Sequence, residues 1–174
     1  PVPDDRIEGV AEGDRIDLGD RELVVHEAPG HAPHHAVYHD PEADVVFAAD
    51  AAGIYVPEVD AVTPTTPPPQ FDFEQCLDDI RLIEDLDPDT ICFGHFGPRR
   101  CDADLLGEAK RAYVEWVERV REKRAELDDD EAVVEHFEAA SRDIDYWNPE
   151  RARANTSLNV RGVLTYLDRV DDAA

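Results

Sequence analysis

The sequence predicts an α/β protein in two parts, strand-rich over residues 1–100 and helical over residues 101–174. Three observations carry that expectation. Up to about Phe96 the apolar residues come in short runs broken by turn residues, and beyond it they recur at helical spacing. The apolar share, 42% of 174 residues, is enough for one sizeable core but the length is too short for two full enzyme domains.

Ile16 to Leu18 and Glu22 to Ala28 read as strands joined by Gly19-Asp20. His35 to His39 and Asp44 to Ala49 read as a hairpin turned by Asp40-Pro41-Glu42-Ala43. Val45-Val46-Phe47-Ala48-Ala49 is apolar throughout, which predicts a strand covered on both faces. Thr63 to Gln70 contains Pro64, Pro67, Pro68 and Pro69, which suit neither a helix interior nor a central strand, so a surface loop is expected. Asp72 with Gln75 forms a capping-box pattern ahead of Phe73, Cys76, Leu77, Ile80, Ile83 and Leu86, a helix that stops at Asp87-Pro88. A strand at Thr90 to Phe93 then runs into Gly94-His95-Phe96-Gly97-Pro98.

The remainder predicts three helices. The first runs from Asp102 to about Leu127 with Leu106, Ala109, Tyr113, Trp116, Val117 and Val120 on one stripe. Asp128 with Glu131 opens the second, which carries Val133, Val134 and Phe137. The run Asp128-Asp129-Asp130 reads as a solvated cap, because it lacks the alternating acids, glycine and distal glutamate of a calcium loop. Asn148-Pro149 supplies the N-cap and first-turn proline of the third, with Leu158, Val163, Leu164 and Leu167 facing inward.

Charge narrows the partners. With 17 basic against 42 acidic side chains the formal charge is −25, which excludes a direct nucleic-acid binder and disfavours an anionic membrane. No stretch reaches the roughly 18 apolar residues of a spanning helix. The start, Pro1-Val2-Pro3-Asp4-Asp5, lacks the regions of a signal peptide, so a cytoplasmic location is expected. Only Lys110 and Lys123 among the basic residues are Lys, and the acids are interleaved with apolar positions. That composition resembles the surfaces of proteins from salt-accumulating halophiles. Cys76, Cys92 and Cys101 offer neither a disulfide framework nor a zinc knuckle, and the first two fit as buried reduced thiols.

Of the seven histidines, five fall between His26 and His39. His31 and His35 have the spacing of helix-borne metal ligands, yet Pro29, Gly30 and Pro33 make a helix there improbable, so display by a loop is expected. His31, Asp50 and His95 each follow a strand, and imidazole with carboxylate suits zinc, iron or manganese. Taken singly, each is more often a turn or surface residue than a ligand. Their order and settings together make the case for a metal site.

Ala28-Pro29-Gly30-His31-Ala32-Pro33-His34-His35, Phe47-Ala48-Ala49-Asp50 and Phe93-Gly94-His95-Phe96-Gly97-Pro98 resemble the third, fourth and fifth metal motifs of the metallo-β-lactamase-fold hydrolases, in particular their glyoxalase-II-like branch. The resemblance covers roughly Ile7 to Pro98. It implies the second half of an αββα sandwich, followed by a C-terminal helical extension. It also implies two divalent metal ions, expected as zinc with iron or manganese as alternatives. His31 would ligate the first ion, His95 the second, and Asp50 would bridge them, with His35 supporting the site. The implied reaction is hydrolysis of a small acyl ester or thioester, in which Tyr55, Arg99 and Arg100 are candidates for substrate contact. The two arginines read equally well as surface residues.

One departure stands out. The family's first metal motif, histidine-x-histidine-x-aspartate-histidine, is absent, since no histidine precedes His26. Each ion would then find one histidine and a share of Asp50, fewer protein ligands than the three a catalytic zinc usually takes. The chain is therefore expected to be the carboxy-terminal part of a longer enzyme, inactive alone, with one apolar sheet face exposed and a homodimer formed through it. The absence of Met, with Pro1 leading, fits an internal start. Two further readings stay open: a non-catalytic interaction module, and a mononuclear iron oxygenase resembling the persulfide dioxygenases.

Overall fold

The computed structural model describes residues 2–102, 104–144 and 147–173. Eight strands are present: β1 (Arg15–Asp17), β2 (Glu22–Glu27), β3 (Ala36–Asp40), β4 (Val45–Ala49), β5 (Ile54–Val56), β6 (Ala61–Thr63), β7 (Thr90–Phe93) and β8 (Pro98–Arg100). The helices are α1 (Phe73–Leu86), α2 (Leu105–Leu127), α3 (Asp130–Ala140) and α4 (Pro149–Ala173). β1, β2, β3, β4, β7 and β8 make one sheet in that order, and β5 with β6 makes a separate hairpin. Every pairing is antiparallel except β4 with β7, which the β5–β6 hairpin and α1 connect as a crossover. This is the mixed α/β arrangement the sequence predicts, with helices after the sheet.

Strand direction decides where the histidine-bearing loops emerge. β2 is antiparallel to β3 and β3 to β4, so β2 and β4 run the same way, and β7 runs parallel to β4. The C-terminal ends of β2, β4 and β7 therefore open onto one rim of the sheet.

One sheet face carries Val37, Val46, Ala48 and Ile91, which share a single core with Cys76, Ile80 and Ile83 of α1 and with Tyr113, Val117 and Val120 of α2. The other face is barer. Tyr38, Phe47 and Cys92 lie in register across β3, β4 and β7, and Phe47 is 42% exposed. The apolar run of β4 is thus covered on one face rather than both, because no helix or second sheet among the described residues packs over Phe47.

Local signals explain the helix ends. Asp72 caps α1 by accepting the Gln75 N–H at 3.1 Å, as the capping-box pattern requires. Asp129 caps α3 through Glu131 N–H and Ala132 N–H, one residue later than expected, while Asp128 ends α2 in a left-handed conformation. Asn148 accepts the Glu150 N–H at 2.9 Å ahead of Pro149. The long helix begins at Leu105 rather than Asp102, and Ala103 lies outside the described residues. Leu158 is exposed, and the inward face of α4 is built from Val160, Val163, Leu164 and Leu167.

The proline segment differs most from expectation. Thr65 and Thr66 are buried, not on the surface. Gly162 explains this: a Cβ there would stand 1.7 Å from the Thr66 carbonyl oxygen, so only glycine lets α4 lie against the segment. The Thr66 N–H donates to Asn159 Oδ1 at 2.7 Å and its hydroxyl to the Asn159 carbonyl at 2.8 Å. The helix supplies the hydrogen bonds that water would otherwise provide.

Candidate metal centre

The loop after β2 is a closed unit. The Ala28 N–H donates to the His35 carbonyl and the His35 N–H to the Ala32 carbonyl, each at 2.9 Å. Gly30 lies against the start of α1, where a Cβ would fall 2.3 Å from Cys76 N. Its N–H donates to the Asp79 carboxylate at 2.8 Å, and its carbonyl accepts the Asp72 N–H. His31 is thereby held on a loop anchored to α1 at both backbone groups of its neighbour.

Asp50 and His95 leave the sheet beside it. Ala49 adopts φ 46° next to a bulge in β4, and Phe96 adopts φ 66°, both left-handed conformations that strain a residue with a Cβ. The two strained positions flank the two candidate ligands. Gly94 fits between them: its N–H donates to the Ala49 carbonyl, and a Cβ would stand 3.0 Å from Asp50 Oδ1.

The side chains converge. His31 Nε2 stands 3.7 Å from Asp50 Oδ2, and His95 Nε2 stands 3.7 Å from Asp50 Oδ1. Two donors on a common ion, each at about 2.1 Å, are roughly 3.4 Å apart in a tetrahedral shell. The observed spacing is too long for hydrogen bonds and suits groups that share an ion. Asp50 Oδ1 is buried without a hydrogen-bond partner, which is costly for a carboxylate that bonds nothing. Each oxygen faces a different imidazole, the arrangement of a carboxylate between two cations. Among the described residues, no group of three or more His, Cys, Asp or Glu side chains closes around a single point that could hold an ion. The donor set fits one edge of a metal centre, not a complete shell.

Burial holds the His31 imidazole below its ordinary pKa, against the pull of the Asp50 charge and of a contact with the Thr65 backbone. His35 is lowered too, by burial first and by His31 second. Neutral imidazole is the form a metal ion needs. The Asp50 N–H donates to His35 Nε2 at 3.3 Å, and the His31 and His35 rings meet edge to face at 5.6 Å. His35 thus touches both the candidate bridging residue and its neighbouring ligand.

Of the candidates for substrate contact, Tyr55 packs on Phe93, two residues before His95, with ring centroids 6.0 Å apart. Tyr55 donates to Asp60 at 3.0 Å, and the Arg99 guanidinium lies over the Tyr55 ring while pairing with Asp60 and Asp102. Asp60 and Asp102 take Arg99 Nε and one terminal nitrogen, while the other terminal nitrogen is buried without a hydrogen-bond partner. Arg100, the next residue of β8, projects to the other sheet face.

Several supports were not legible in the sequence. Tyr113, buried on α2, accepts the Thr65 N–H at 3.2 Å and donates to the Thr65 carbonyl at 3.3 Å. That backbone is the one beside His31. Phe96 stacks on Trp147 at 6.4 Å, and the Arg151 guanidinium lies over both rings.

Comparison with known proteins gives a consistent picture. The family model described as Metallo-beta-lactamase superfamily matches residues 1–95. The metallo-beta-lactamase fold-containing protein ST1585 of Sulfurisphaera tokodaii is 34% identical over 94 residues, which are 53% of this chain and 34% of that protein. A metallo-beta-lactamase family protein, TTHA1429 from Thermus thermophilus, superposes with TM-score 0.62 at 22% identity, over 93% of this chain and 49% of its own. A beta-lactamase domain protein from Burkholderia ambifaria superposes with TM-score 0.66 at 17% identity, over 98% of this chain and 49% of its own. These two likenesses show the fold. The chain spans about a third of the curated relative it matches and about half of each of the two solved chains.

Proposed function

Because the chain belongs to the metallo-β-lactamase superfamily, we propose that it supplies the carboxy-terminal share of a divalent-metal hydrolase centre acting on a small acyl ester or thioester. The observation that carries this reading is Asp50, each of whose oxygens faces a different histidine at 3.7 Å. Members of the superfamily are usually hydrolytic and commonly bind divalent metals. His31 and His95 would be terminal ligands and Asp50 the shared one, with the remaining ligands coming from an upstream histidine-x-histidine-x-aspartate-histidine segment. Bound metal would supply an activated water and polarise the substrate carbonyl.

The chain's own residues have definite tasks. His35 fixes the Asp50 backbone, and the Asp79 hydrogen bond to Gly30 fixes the His31 loop. Gly94 leaves room for the Asp50 carboxylate. Zinc is the ion we expect, with iron the mark of an oxygenase of the same fold. A composition with 42 acidic side chains and only two Lys supports a halophilic origin. Phe47, exposed amid Tyr38 and Cys92, supports self-association of this chain through the open sheet face.

The test joins the chain to an amino-terminal half carrying that motif and measures metal content by elemental analysis, alongside thioester hydrolysis. Two equivalents of zinc are expected, falling by at least one in Asp50→Ala and by about one in His31→Ala or His95→Ala, with hydrolysis lost in each. Unchanged metal content in all three variants, with folding verified by circular dichroism, would refute the assignment.

A further inference from the structure

A cavity of about 390 Å³ lies where α2, α3 and α4 meet the end of β6, within the usual size range of small-molecule pockets. Trp116, Phe137, Ile144 and Trp147 give it apolar walls. Trp116 meets Phe137 edge to face at 5.2 Å, and the Trp116 N–H is tied to the Thr66 hydroxyl at 3.2 Å, so this wall is held in place.

Two contacts set the cavity against the candidate metal centre. Thr63 and Pro64, which line it, lead directly into Thr65, whose backbone touches His31. Trp147, also in the lining, stacks on Phe96, the residue after His95. The lining is therefore one residue removed from each of the two histidines, through Thr65 and through Phe96.

Its charge is unlike that of the rest of the chain. Among the described lining residues Arg119 is the one cation and Glu115 the one acid, in a chain of net charge −25. The Arg119 guanidinium already lies over the Phe137 ring at 5.6 Å. An anionic group would find one cation cancelled by one acid, inside a repelling field, whereas an uncharged ring finds aromatic walls and loses little hydration.

We infer that this cavity receives the non-reacting part of the substrate and that this part is an uncharged aromatic ring, not a charged peptide thiol. The inference rests on the hydrolase reading for its role as a substrate pocket, and its test is independent of metal. Both tryptophans of the chain line the cavity, so their fluorescence reports its occupancy.

The metal-free chain is titrated with 4-nitrobenzyl alcohol, which quenches indole on contact, and in parallel with S-(4-nitrobenzyl)glutathione, the same ring on a charged tripeptide. Saturable quenching by the alcohol is expected, at least about tenfold tighter than by the peptide conjugate and at least about tenfold weaker in Ala112→Leu or Ala140→Leu, which fill the cavity. Trp116→Phe and Trp147→Phe should each leave the other indole saturating at the same concentration, a readout that stands even if the leucine variants fail to fold. Quenching that rises linearly, that ignores the filling variants, or that is as tight for the conjugate would overturn the inference. Ring binding without metal uptake by the joined protein would remove the hydrolase reading and leave the cavity. Hydrolysis without ring binding would do the reverse.

Discussion

Asp79 offers the sharpest quantitative test of how the His31 loop is held. Its side chain is buried on α1 and accepts the Gly30 N–H at 2.8 Å. Burial raises its pKa from an ordinary 3.8 to about 6, even though that hydrogen bond pulls the other way. A carboxyl whose folded pKa is raised stabilises the fold fully below its unfolded pKa, and that contribution is lost as pH rises through the folded value. Two pH units at 1.36 kcal/mol each are about 3 kcal/mol, which discounting for solvent screening brings to about 2 kcal/mol. Asp79→Asn keeps an acceptor for Gly30 but cannot ionise. The stability difference between variant and wild type should therefore shift by about 2 kcal/mol in favour of the variant between pH 4 and pH 7.5. Urea unfolding at both pH values measures it. The double difference cancels the pH-independent cost of burying the amide, and it also cancels the titration of the surface acids common to both proteins. A shift below about 0.5 kcal/mol would mean that Asp79 is solvated, and one of opposite sign that the Gly30 hydrogen bond outweighs burial; either would refute the raised pKa.

Three further outcomes are expected. Gly162→Ala places a methyl 1.7 Å from the Thr66 carbonyl, so α4 must move off the segment, at a cost of about 3 kcal/mol or more in urea unfolding. Raising KCl from low to molar concentration should raise the thermal midpoint steadily, because a surface at −25 repels itself until the screening length falls to about 3 Å. A midpoint that falls with salt would contradict the surface-charge account. Phe47→Lys should convert associated chain to monomer in sedimentation at micromolar concentration, and an unchanged distribution would remove the sheet face as the contact.

What the sequence disclosed, it disclosed through local chemistry. The apolar run Val45 to Ala49, the Asp72 cap and the helical stripe from Leu106 to Val120 each encode an element within a few neighbours, and each is present. The three-residue strands β5, β6 and β8 are too short to show alternation, and they form because partners are supplied across a turn. The burial of Thr66 depends on Asn159, 93 residues away, which no local pattern around the prolines can announce. Asp79 is one acid among 42, and only its depth behind Gly30 distinguishes it. Composition alone predicts cover on the second face of β4, but composition does not say whether a second layer packs there.

The candidate site follows from strand direction as much as from residue type. A side chain just past the end of β3 would emerge at the opposite edge of the sheet, so a ligand there could not meet the others. β2, β4 and β7 share a direction, and the loops after them bring His31, Asp50 and His95 to one rim despite their separation along the chain. What orients the first of these ligands is then shared between layers: Asp79 of α1 holds Gly30 from below, and Tyr113 of α2 fixes the Thr65 backbone beside the ring. Because Asn159 of α4 hydrogen-bonds the adjacent Thr66, a displacement of the last helix is passed along the chain to the Thr65 backbone that lies against His31. The helices are in this sense part of the site's framework, and a change in α4 should be felt at a ligand it never touches.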